Sequence, residues 1–182
     1  MRAATVAAYR LCNTVLLAPA AALALALGLC NTVLLDAAAA KPPPAGVLVP
    51  GRSLGGLRLG MTPAQVRAAW GGYHGRCRNC SHPTWYFNYT AFTPQGAGVE
   101  FRDGRAAAIF TLWAPTGWHT AKRLAIGDPE TRVTQLYGAL PESHCDFYDA
   151  ITIPGSTTTA FYIRDDKVYG FGLIRAGVPV CR

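Results

Sequence analysis

Apolar and polar residues alternate through Gly98 to Trp113, and the alternation turns at Asp103-Gly104. That dipeptide supplies the positive φ that both central positions of a tight two-residue turn require, so the segment predicts an antiparallel hairpin. Thr157 to Arg164 and Lys167 to Arg175 alternate in the same way about Asp165-Asp166, 62 residues further on. Trp85 to Thr90 and Asp146 to Ile153 predict additional strands by composition. Each strand group follows a short helical pattern. Thr62, Pro63 and Gln65 make a capping box with proline at the first helical position, and Gly71-Gly72 stops the helix. The phrase Leu57 to Gly71 returns at Leu124 to Gly138, 67 residues on, with Asp128 as the expected N-cap and Pro129 at the first helical position. Short helices before period-two strands, without a βαβ rhythm, imply an α+β fold. The expected architecture is two helix-plus-antiparallel-sheet repeats, with both helices packed on one face of a sheet.

The expected organisation is an export signal or membrane anchor over 1–40, a Pro-rich linker over 41–50, a first repeat over 51–118 and a second over 119–182. Arg2 and Arg10 precede an apolar run, Leu11 to Leu35, and the small residues Ala37 to Ala40 offer a cleavage site. The run contains Leu-Cys-Asn-Thr-Val-Leu-Leu twice, which accounts for its length. An uncleaved anchor is the competing reading, since a span needs ~20 apolar residues.

Alternation also assigns faces. Across the two turns Phe101 is set against Ala106, Val99 against Ala108, Ile163 against Val168 and Phe161 against Gly170. This apolar and often small set, with Gly172, is expected under the helices. The other face then carries Glu100, Arg102, Ile109, Trp113, Tyr162, Arg164, Tyr169, Phe171 and Arg175, with the rings expected to be partly open to solvent. Aromatic residues and arginine dominate binding hot spots. The competing reading has Ala114 to Ala121, with Trp118, folded over this face.

Without residues 1–40 the chain holds 15 Lys+Arg against 9 Asp+Glu. No basic run exceeds Lys122-Arg123, which argues against a nucleic-acid-binding stripe. Four cysteines remain, Cys77, Cys80, Cys145 and Cys181, and an even count in an exported chain implies disulfides, with three possible pairings. Aligning the two repeats favours Cys77 with Cys80 and Cys145 with Cys181.

Four patterns invite catalytic readings. Gly51-Arg52-Ser53-Leu54-Gly55 matches a nucleophile elbow in letters, but a proline-rich stretch precedes it where a strand is needed. Cys77-Arg78-Asn79-Cys80 matches a redox motif, although it lies in a loop rather than at a helix start. His74, Cys77, Cys80 and His82 form a compact zinc-like set. Among Glu142, His144, Asp146 and Asp149, alternation places His144 with Asp146 and Asp149 opposite. None supplies a catalytic constellation, so no metal or cofactor is expected.

Gly60-Met61-Thr62-Pro63-Ala64-Gln65-Val66 resembles the Gly-Met-Thr-x-x-Gln-Val opening of two groups. These are the small outer-membrane lipoproteins of the β-barrel assembly machinery (the SmpA/OmlA group) and the tandem-repeat β-lactamase inhibitor proteins. The resemblance covers 57–71 and 124–138. It implies a curved sheet whose concave face grips a partner, and it assigns no contact residue here. A lipobox is missing, because bulky Leu29 precedes Cys30. The resulting expectation is a secreted or extracytoplasmic, envelope-associated, non-enzymatic module. Its partner is a protein or other envelope macromolecule, and it meets the membrane only through an uncleaved N-terminal segment. The alternative is an extracytoplasmic redox or other envelope enzyme using Cys77 and Cys80.

Overall fold

The computed structural model describes residues 45–88, 96–112 and 117–182. The expected export segment, residues 41–44 of the expected linker, residues 89–95 and residues 113–116, Trp113 among them, lie outside the described residues. The strands are β1 (Ala45–Val49), β2 (Ser53–Leu54), β3 (Gly75–Arg76), β4 (Thr84–Asn88), β5 (Gly96–Arg102), β6 (Arg105–Leu112), β7 (Gly117–Thr120), β8 (Glu142–His144), β9 (Asp149–Ile153), β10 (Thr157–Arg164) and β11 (Lys167–Arg175). The helices are α1 (Pro63–Trp70) and α2 (Thr131–Tyr137).

This architecture corrects the expected α+β class. Among the described residues eleven strands stand against two helices of eight and seven residues. The fold is mostly β, built on one eight-stranded antiparallel sheet in the order β3-β4-β5-β6-β11-β10-β9-β8. A second, three-stranded sheet runs β2-β1-β7, with β1 and β7 parallel. Two helices of about two turns each cannot cover eight strands, so part of the covering layer is itself β. Leu48, Leu54 and Trp118 of the small sheet join Val66 and Trp70 of α1 and Val133 of α2 in one core. Ala45–Val49, expected as linker, is a strand because Leu48 is buried in that core. Trp118 is fully buried there too, on β7, and does not cover the opposite face of the large sheet.

Local sequence explains the start of α1. Thr62 Oγ1 accepts from the Gln65 amide at 3.3 Å, and Gln65 Oε1 accepts from the Thr62 amide at 2.8 Å, closing the capping box at α1. α2 begins at Thr131, two residues later than a cap at Asp128 allows. The Asp128 carboxylate instead accepts from the Ala125 amide at 2.9 Å and tightens the preceding turn. Gly60 and Gly127, both at positive φ, dock the two turns alike. The Gly60 amide donates to Ala106 O and the Gly127 amide to Val168 O, each at 2.8 Å.

The hairpins begin in the expected register, with Phe101 opposite Ala106 and Ile163 opposite Val168. Each then skips one residue: Glu100 faces Ala108, and Tyr162 faces Gly170. The extra residues are Ala107 and Tyr169. A β-bulge reverses the facing of every later residue on its strand. Ile109 and Phe171, expected on the open face, are therefore fully buried on the helix side. Ala108, Gly170 and Gly172, expected under the helices, face the other way. Val99, Phe101, Phe161 and Ile163, on the unbulged strands, lie in the helix-side core as expected.

Candidate binding face

The face away from the helices has its own core of Ala107, Ala108, Phe110, Tyr148, Ala150, Ala160, Tyr162, Ile174 and Val178. Glycines let its rings lie flat on the sheet. A Cβ on Gly98 would meet the Phe110 ring at 2.4 Å, and one on Gly172 would meet the Tyr162 hydroxyl at 2.6 Å. The rings form a belt: Tyr86 packs edge-on to Phe110, and Tyr148 packs edge-on to Tyr162 at 5.2 Å and to Phe147 at 5.0 Å. Burial raises the pKa of Tyr86, Tyr148, Tyr162 and Tyr169.

Residues 176–182 cross this face as a strap. The Cys145–Cys181 disulfide ties it to the β8–β9 loop. The Tyr162 hydroxyl donates to Val180 O at 3.1 Å, and the Tyr148 hydroxyl donates to Arg182 O at 2.7 Å. The Arg182 guanidinium bonds Glu100, which also accepts from Arg102 Nε at 2.7 Å. Glu100 thus sits between two arginines and is only 8 % exposed. A cavity of about 440 Å³ opens beside this trio, lined among others by His82, Tyr86 and Phe110 and bordered by Cys80 and Cys181.

The strap divides the residues expected on an open face. Tyr162 is fully buried beneath it, so the expected exposure of that ring is corrected. Ile109 and Phe171 are removed to the opposite core by the bulges. Arg102, Arg164 and Tyr169 are half-buried and Arg175 is exposed. Arg164 and Tyr169 gather with Phe147, whose ring is 54 % exposed. The Arg164 guanidinium stands 5.8 Å from the Phe147 ring centre and 5.7 Å from that of Tyr169, a cation–π contact with both. Arg102 and Arg175 lie together at the opposite end of the sheet, by the Asp103-Gly104 turn, where Arg175 is 3.9 Å from Asp103. Phe147, Tyr148, Tyr86 and Phe110 were missed by strand alternation, because the first two lie in a loop and the others were not placed on a face. The signal for the strap was the Cys145–Cys181 pairing, which requires the chain to return past β11.

Both cysteine pairs form as the repeat alignment favoured, Cys77 with Cys80 and Cys145 with Cys181. Disulfides fit an oxidising, extracytoplasmic compartment. In this bonded state Cys77 and Cys80 cannot serve as zinc thiolates, and His74 is stacked on Trp85 at 3.8 Å. Ser53 lies on a two-residue strand with no helix directly after it. His144 and Asp149 are cross-strand partners on β8 and β9, so they share a face, contrary to the expected alternation. His144 Nδ1 is 2.5 Å from Asp149 Oδ1, and that hydrogen bond raises the imidazole pKa. Glu142 joins them within 4.8 Å, but Asp146 does not. No helix among the described residues is long and apolar enough to cross a membrane.

No family model matches the chain, and no curated protein matches it. Among solved structures it is similar to an extracellular protein containing an SCP domain from Bacillus anthracis. The TM-score is 0.48 at 9 % identity, over 65 % of this chain and 44 % of that protein. The chain spans less than half the length of that protein, and a likeness at this level carries no argument about function.

Proposed function

We infer that the chain is an exported, non-enzymatic binding module that holds a protein partner in the cell envelope or outside the cell. The observation that carries this reading is the Phe147–Arg164–Tyr169 group: a ring 54 % exposed, with a guanidinium set against it and a second ring. Exposed rings preorganised by arginine are the chemistry of binding hot spots. The contact surface is the rim of the second face, Phe147, Arg164 and Tyr169 at one end, with Arg102 at the other; the bulge turns Arg175, like Phe171, toward the helix side. The resemblance to the tandem-repeat inhibitor proteins and the assembly-machinery lipoproteins agrees with this reading without naming the partner. The redox alternative has less support, because Cys77 and Cys80 close a loop beside the two-residue β3 and do not open a helix.

The test places a photo-reactive residue at position 147 and cross-links the exported protein in its native extracytoplasmic fraction. A discrete protein adduct is expected. In competition assays with that adduct's partner, Phe147→Ala and Arg164→Ala should each weaken binding by about 2 kcal/mol. The reading fails if both variants bind as tightly as the wild type.

A further inference from the structure

Between residues 45 and 166 the charges of this chain are sorted along the sequence. Residues 45–127 hold nine Lys and Arg against two acids, Glu100 and Asp103. Residues 128–166 hold seven acids against two arginines, Arg132 and Arg164. Strand order carries part of this asymmetry into space: β3, β5 and β6 hold Arg76, Arg102 and Arg105 in one half of the sheet, and β8 and β9 hold Glu142 and Asp149 at its other end, whereas Lys122 reaches α2 and donates to Leu136 O.

The edges carry the extremes. β3 ends on Arg76, and Arg78 follows it; both are exposed. At the far edge all three residues of β8 are exposed, Glu142 and His144 among them. Glu130, at the start of α2, belongs to the same acidic patch. Burial and then the charges of Glu142, Asp166 and Asp149 push its carboxyl pKa up. Arg76, Arg78, Glu130, Glu142 and Asp166 enter none of the ion pairs among the described residues. One face of the sheet is covered by the helices and the small sheet, and the other is crossed by the strap, which leaves the edges. An open edge is a template for another strand, and charge on it repels a matching edge of like sign. Here β3 repels β3 and β8 repels β8, whereas β3 and β8 attract.

We propose that copies of this chain associate head to tail, with the basic β3 edge of one against the acidic β8 edge of the next. The occupant of each edge is a second copy, because one sheet presents both complementary signs at its opposite ends. Such a contact is heterologous: the two surfaces differ, and the assembly extends or closes into a ring.

Sedimentation of the full chain, recovered with both disulfides intact, tests this at two ionic strengths. At about 0.01 M salt the Debye length is about 30 Å, and at about 1 M it is about 3 Å. The mass should rise with protein concentration in the first condition and stay monomeric in the second. Two variants reverse one edge each without breaking an ion pair: Arg76→Glu with Arg78→Glu, and Glu130→Lys with Glu142→Lys. Each alone should lose about a hundredfold in association, and mixing the two should restore it. Near-UV circular dichroism verifies that both remain folded. A wild-type chain that stays monomeric at low salt overturns the proposal. So does association that ignores salt, or that survives in either variant alone.

Discussion

Tyr162→Ala separates a covered core from an open binding face. The ring is fully buried, its hydroxyl donates to Val180 O at 3.1 Å, and it packs edge-on to Tyr148 at 5.2 Å. Truncating a large buried aromatic costs about 3–5 kcal/mol, with the higher values where the site cannot collapse. Collapse is restricted here. The ring lies over Gly172, which has no side chain to move into the space, and it lies beneath a strap fixed by a disulfide. Tyr162→Phe keeps the ring and removes the hydroxyl's bond to Val180 O and its contact with the Arg182 side chain, a loss of about 1–2 kcal/mol. Urea unfolding of the oxidised protein measures both, and a constant m-value shows that the denatured state is unchanged. If Tyr162→Ala loses less than about 1 kcal/mol, a value typical of surface positions, the second face is not a core and the strap is not its cover.

Replacing both Cys145 and Cys181 with serine should cost about 4 kcal/mol on the chain-entropy account, given a sequence separation of 36. It should also speed hydrogen exchange on β9 and β10 beneath the strap; exchange no faster than in the wild type would show that the strap stays docked without its disulfide. Asp149→Asn should lower the His144 pKa toward about 6.5, as read from imidazole proton shifts, because the Asp149 hydrogen bond is the first cause of its rise. The stabilisation from that pair is full below the unfolded imidazole pKa and disappears as pH climbs through the raised folded value. An unshifted His144 titration in the variant refutes the assignment.

Strands and turns were legible because their determinants are local. Asp103-Gly104 and Asp165-Asp166 locate both hairpins, β10 and β11 span the ranges that their alternation predicts, and Thr62 caps α1. The facing of β6 and β11 was not legible. Ala107 and Tyr169 are ordinary strand residues, and nothing in their types announces a bulge, yet each reverses all that follows on its strand. The fold class was misjudged for a related reason. Two well-marked helix starts drew weight to the helices, while β1 lay directly after a proline run and read as linker. At the candidate site, strand position was enough to select Arg164 and Tyr169. Phe147 and the strap depend on contacts between distant segments, which only the disulfide pairing foreshadowed.

The place of the strap in the chain fixes an order of events during synthesis. Residues 176–182 are synthesised after every strand that they cover. Cys77 and Cys80, three positions apart, can oxidise as soon as they emerge, while Cys145 must wait as a free thiol for Cys181. Until the strap docks, Phe110, Tyr148 and Tyr162 lack the cover that residues 176–182 give them in the folded chain. Maturation therefore ends with a redox step, which takes seconds to hours depending on the oxidant and isomerase present. The species that precedes it exposes apolar surface beside a reactive thiol, the state in which aggregation and mispairing with Cys77 or Cys80 compete with the native bond.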